Sequence, residues 1–243
     1  MINYSCECLD LVCTRPTGGV KYSCEALEVV PGQEGFWRKL VYEFTSDFKC
    51  AKRLDEFIKQ LNSMDSTKSK ELEAVTLDYR AIPKNDISKL LKFATTVVNR
   101  SATWIEKCKH EGWLIDGKDG QRRAYLVKET DKLNREFNLD EMENLISGKD
   151  KNKNKFPEGK TVRELGFSKA DIVKLAQEFK NKASGDLKQI KKIRSISQAL
   201  IHEYRGNVDT VHLYMYEVTA KLDMAVDAYK RVDYFLYYLS KEV

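Results

Sequence analysis

Four of the six cysteines, Cys6, Cys8, Cys13 and Cys24, crowd the start of the chain. Four thiolates would satisfy a structural zinc ion, but zinc is usually held by paired C-x2-C knuckles. Here the spacing is C-x-C, then four residues, then ten, with no histidine companion. These thiols read as reduced, small buried hydrophobes, and no metal or cofactor is expected. Only three histidines occur, His110, His202 and His212, too few for a His-rich metal site. Arg205 and His212 stand seven positions apart. Gly206, however, puts Arg205 in a turn rather than on the helical face of His212. Neither phosphate-cradling glycine loop, G-x-x-x-x-G-K-[ST] or G-x-G-x-x-G, is present. The chemistry left to consider is charge.

Lys and Arg total 42 against 37 Asp and Glu, a formal excess of +5. The excess is uneven. Residues 84–135 carry 12 basic and 7 acidic side chains (+5), residues 136–148 only four acids (−4), and residues 149–194 carry 14 against 6 (+8). Clustered cations attract polyanions by releasing condensed counterions. The alternative is a solvated surface whose acids lie nearby in space.

The elements that must position these charges follow from hydrophobic spacing. With 42% hydrophobic residues, 4 Pro and 12 Gly in 243 residues, a helix-rich globular α+β protein is expected. No apolar run reaches a bilayer span, and the first residues lack a basic leader before an apolar stretch, so a cytoplasmic protein without a membrane partner is expected. Residues 2–13, 20–30 and 36–44 read as strands. Cys50, Leu54, Phe57, Ile58 and Leu61 follow at helical spacing. Together they give a β-β-β-α module over residues 1–65, with a polar linker at 62–70. Ile87, Leu90, Leu91 and Ala94 mark a helix after Pro83, and Ser101 opens a second one carrying Trp104, Ile105 and Cys108. Gly112 is a natural stop, and Asp116–Gly120 reads as the turn of a hairpin whose second strand is 123–127. Residues 136–160 read as a charged linker. Residues 161–243 read as a helical bundle, with helices near 168–182, 186–204 and 208–241. The last carries Val211, Met215, Val218, Leu222, Ala225, Tyr229, Val232, Leu236 and Leu239 at alternating steps of 4 and 3, the seam two packed helices require.

The order helix, connection, helix and two-stranded hairpin over residues 70–135 resembles a winged helix-turn-helix domain. The residues that carry the resemblance are Ile82–Leu91, Ser101–His110 and E-G-W-L-I-D-G-K-D-G-Q-R-R-A-Y-L-V. The connection Phe93–Asn99 is longer and more apolar than the family's tight turn. The resemblance implies a second helix in the major groove and a hairpin wing along the backbone. Asn99, Arg100, Thr103, Lys107 and His110 would then face the bases and phosphates, while Lys118, Arg122 and Arg123 would form the wing's cationic tip.

The expected protein is therefore a non-catalytic DNA-binding regulator of transcription or replication, of a kind suited to a phage or other mobile element, and a homodimer through its C-terminal helices. Two other classes stay open. The Arg205–His212 spacing loosely resembles the Arg-x4–6-His motif of the HEPN helical ribonucleases, which implies an RNA-binding or RNA-cleaving protein. The other class is a protein-interaction or inhibitor protein without nucleic-acid affinity.

Overall fold

The computed structural model describes residues 53–78, 81–110, 119–148, 158–203 and 208–243. The expected strands of residues 1–44 and the four clustered cysteines lie outside these residues, as does Lys118. The described part is mostly helical. The helices are α1 (Leu54–Ser63), α2 (Ser66–Ala74), α3 (Lys84–His110), α4 (Asp119–Glu136), α5 (Leu139–Ser147), α6 (Lys169–Glu203) and α7 (Val208–Leu239). Two short strands, β1 (Thr76–Leu77) and β2 (Lys160–Thr161), pair antiparallel with Thr76 opposite Thr161 and Leu77 opposite Lys160. The helix-rich expectation holds. Among the described residues, no helix is long and apolar enough to cross a membrane.

Two elements of the winged-helix resemblance are replaced by continuous helix, and the expected first wing strand at 113–115 lies outside the described residues. Lys84–His110 is one helix of 27 residues, not two helices joined by a loop. The reason lies in the spacing. Ile87, Leu90, Leu91, Ala94, Val97, Val98, Ser101, Trp104 and Ile105 are all buried and continue one 3.6-residue period through the supposed connection. The β-branched run Thr95–Val98 costs only a few tenths of a kcal/mol per residue in a helix, which burial of Val97 and Val98 at about 1.5–3 kcal/mol per side chain outweighs. The expected second wing strand, 123–127, and the end of its turn lie within α4. Arg122 and Arg123 are therefore helical residues and not a β-turn tip. Leu126, Leu133 and Phe137 fall at i, i+7 and i+11, a helical register, and Leu133 and Phe137 are buried.

Both expected linkers also contain helix. Asp65 caps α2, its carboxylate accepting from the backbone N–H groups of Thr67 and Lys68, each at 2.9 Å. Those hydrogen bonds, Lys68 foremost, hold the Asp65 carboxyl below its ordinary range. Asn138 caps α5 by accepting from Glu141 N–H at 3.2 Å. Gly148 closes α5 in the left-handed region at φ 67°. Asp140 and Glu141, acids of the expected charged linker, are favourable first-turn charges of a helix N-terminus.

The core lies around α7. Its seam residues Leu222, Ala225, Tyr229, Val232, Leu236 and Leu239 are buried, and α7 packs on α3, α6, α5 and α4. Phe167 meets Phe235 at 5.1 Å between ring centroids, and Phe179 meets Tyr229 at 6.2 Å, so α6 and α7 run antiparallel. The seam thus packs internally, the bundle reading of that periodicity. In place of the two helices expected near 168–182 and 186–204, Lys169–Glu203 is the single helix α6, continuous through Gly185.

Three helices meet at one hydroxyl. Tyr229 of α7 is fully buried. Its phenol donates to the Asp186 carboxylate of α6 and lies 3.0 Å from Thr95 Oγ1 of α3. Burial, reinforced by the neighbouring Asp186, pushes the phenol well above its ordinary pKa. Arg231, two residues on and also buried, donates from Nε to Leu145 O and from Nη2 to Ala81 O, each at 3.4 Å. It thereby serves one of the last carbonyls of α5, which have no partner inside their own helix. Tyr229→Phe keeps the ring and removes the hydroxyl. A cost of about 1–2 kcal/mol is expected, seen as a melting temperature lowered by roughly 2–8 °C in circular dichroism at 222 nm. An unchanged melting temperature would show that the junction adds nothing to stability.

Candidate nucleic-acid interface

Of the residues singled out on α3, those whose side chains are described, Asn99, Arg100, Thr103 and Lys107, do not assemble an uncompensated cationic surface. Asn99 and Thr103 are exposed, one turn apart, with Thr103 Oγ1 donating to Asn99 O at 3.1 Å. Arg100 is turned away from them, its Nη2 donating to Glu136 Oε2 at 2.7 Å. The same carboxylate pairs with Lys92 at 3.1 Å. Lys107 is half-buried and engaged, and His110 is the last residue of α3. Arg100 Nη1 and the Trp104 indole N–H are buried without a hydrogen-bond partner among the described residues. Arg100 is therefore spent on holding α4 against α3. Its partner Glu136 lies 36 residues away in sequence, and only the fold brings the two together.

Position and pairing instead distinguish α6. Its N-terminal turn is anchored by Ser168, whose N–H and hydroxyl reach Asp171 Oδ2 at 3.0 and 2.8 Å. Asp171 also pairs with Lys84 at the start of α3, while Lys169 Nζ donates to Met64 O at 3.1 Å. Upstream, Gly166 takes φ 86° to turn the chain into α6, conformational freedom that only glycine supplies cheaply. The buried face is Ile172, Leu175, Ala176, Phe179, Ala183, Ile190 and Ile193.

The opposite face is basic. Lys174, Lys182, Lys188 and Lys192 are exposed, and none of the four makes an ion pair or hydrogen bond among the described residues. At 100° per residue, Lys174, Lys188 and Lys192 lie within 40° of one line, with Asn181 between them and Lys182 at the margin. The line is about 27 Å long, from 18 residues at 1.5 Å each. Of the three acids in 169–193, Asp171 and Asp186 are occupied by Lys84 and Tyr229. Only Glu178 stands exposed among the lysines. Lys180, to one side, is paired with Asp55 of α1. The charge count over 149–194 carries the signal for this surface. Dividing the segment into two helices hides it, because the lysines align only on a continuous one.

Among the described residues, no group of three or more His, Cys, Asp or Glu is placed to hold a metal ion. His212 lies in α7, and Arg205 is outside the described residues. Comparison with known proteins finds no matching family model, curated protein or solved structure.

The Lys84 side chain, with the Ser168 hydrogen bonds, lowers the Asp171 carboxyl from 3.8 to about 2. A depressed carboxylate stabilises the fold above its unfolded pKa, near 3.9, and loses that contribution as pH falls through the folded value. Asp171→Asn is expected to cost about 1 kcal/mol at pH 7, discounted for partial exposure. The gap from wild type should shrink between pH 4 and pH 2 in urea unfolding. A gap independent of pH would contradict the pairing.

Proposed function

We propose that this protein binds nucleic acid without catalysis, gripping the phosphate backbone of duplex DNA along the lysine face of α6, in the service of transcription or replication. The observation that carries the reading is the partition of charge on that helix. Two of the three acids in 169–193 are consumed by contacts to α3 and α7, while four exposed lysines have no ion-pair partner among the described residues. Phosphates reward such a face by counterion release, and the reward scales with the number of cations brought to the backbone. The described polar residues between the lysines, Gln177, Glu178, Asn181 and Gln189, include no aromatic ring on which an unpaired base would stack. A regular duplex therefore suits the face better than single-stranded RNA. The expected recognition residues on α3 contribute no base-reading geometry to this proposal, so binding is expected to depend weakly on sequence.

The test is titration of a labelled 20-bp DNA duplex by fluorescence anisotropy at several salt concentrations. For the Lys174→Gln/Lys188→Gln/Lys192→Gln variant, affinity near physiological salt should fall at least tenfold. The slope of log K against log [salt] should shrink by about two to three, close to one for each phosphate that is no longer neutralised. Equal affinity and slope in variant and wild type would refute the reading. Wild-type protein that binds neither DNA nor RNA duplex would refute it in favour of the protein-interaction class.

A further inference from the structure

Gly185 occupies the middle of a 35-residue helix, on its exposed face. Glycine there is a loss for the fold, because it costs more backbone entropy than alanine and lowers helix propensity. Two structural reasons usually justify such a glycine: a positive φ, or a neighbour too close for a β-carbon. Neither applies. Gly185 is not among the described glycines with positive φ, which are Gly148 and Gly166. A β-carbon built on it would meet no heavy atom within 4 Å. Gly159 makes the contrast, since a β-carbon there would lie 2.6 Å from Asp78 Oδ1 and 2.8 Å from Thr76 Cγ2.

The position of Gly185 is informative. It lies three residues after Lys182 and three before Lys188, within about 20° of the line through Lys174 and Lys192. The next residue, Asp186, turns its carboxylate inward to Tyr229, so its charge is drawn away from the notch. The lysine face therefore has a bare stretch of backbone at its centre with cations on both sides.

We infer that Gly185 is the point of closest approach between α6 and the DNA backbone, a gap that lets one phosphodiester strand settle against the helix while Lys182 and Lys188 reach its phosphates from either side. This rests on the nucleic-acid reading above and adds a residue that carries no charge. A protruding side chain at 185 would hold the strand off the helix and lengthen every flanking lysine contact, although it would suit the helix better than glycine does.

The inference makes stability and binding move in opposite directions. Gly185→Ala and Gly185→Gln should each raise the melting temperature, by about 2–4 °C for alanine. Gly185→Gln should weaken binding of the 20-bp DNA duplex about tenfold, and Gly185→Ala by a smaller factor. Wild-type affinity in Gly185→Gln, alongside impaired binding in the triple lysine variant, would overturn the role of Gly185 and leave the lysine face standing. Wild-type protein without duplex affinity would overturn both. A concentration-dependent dimer in sedimentation that Gly185→Gln abolishes, with DNA affinity unchanged, would reassign the notch to a second copy of the chain and overturn the inference as well.

Discussion

The Tyr229 hydroxyl is the constraint on which this arrangement turns. A phenol buried at the centre of a bundle must find partners, because an unsatisfied polar group there costs about as much as the hydrogen bond it forgoes. Tyr229 finds them on two other helices, Thr95 of α3 and Asp186 of α6. Apolar packing around Phe179, Val232 and Leu236 would tolerate some sliding and rotation of the helices. The hydroxyl tolerates much less, since three polar atoms must converge within a few ångströms. The rotation of α6 about its axis is set there, and with it the direction in which every residue of that helix points.

The charge on α6 follows from this constraint. Turning Asp186 inward and Asp171 toward Lys84 uses acids for contacts with other helices, and it leaves Glu178 as the one acid of 169–193 exposed among the lysines. Lys174, Lys182, Lys188 and Lys192 are thereby gathered on one exposed side of α6. The same logic cancels charge elsewhere. Lys89 meets Glu141, Lys92 and Arg100 share Glu136, and Lys84 meets Asp171. The +5 of residues 84–135 is thus partly neutralised by the −4 of 136–148, its neighbour in space as well as in sequence.

Legibility divides along physical lines. The α7 seam can be read directly because one strict period runs through it, and its six described positions from Leu222 to Leu239 are buried. Leu54, Phe57 and Leu61 can be read for the same reason. The single helix α3 is also written in its spacing. Taking Phe93–Asn99 for a loop gives β-branched propensity more weight than unbroken periodicity, and tertiary burial decides otherwise. The expected second wing strand fails differently. D-G-K-D-G is a strong local turn signal, but the run from Arg122 to Glu136 is rich in helix formers, and the register that reaches Leu133 and Phe137 extends past the five residues of the expected strand. Asp65 and Asn138 are helix caps inside segments whose polarity suggests linkers. The role of Arg100 is hidden in the sequence because an ion pair to Glu136 depends on the fold and leaves no local trace.

A nucleic-acid surface should reveal itself by which lysines it covers. Brief acetylation of the native protein, with and without saturating duplex DNA, followed by mass spectrometry of each lysine, tests this most directly. Lys174, Lys182, Lys188 and Lys192 should be shielded by the duplex, while Lys84, Lys89 and Lys92 on the α3 side should react equally in both samples. Protection that falls on the α3 lysines instead, or on none of the seven, would contradict the assignment of binding to α6.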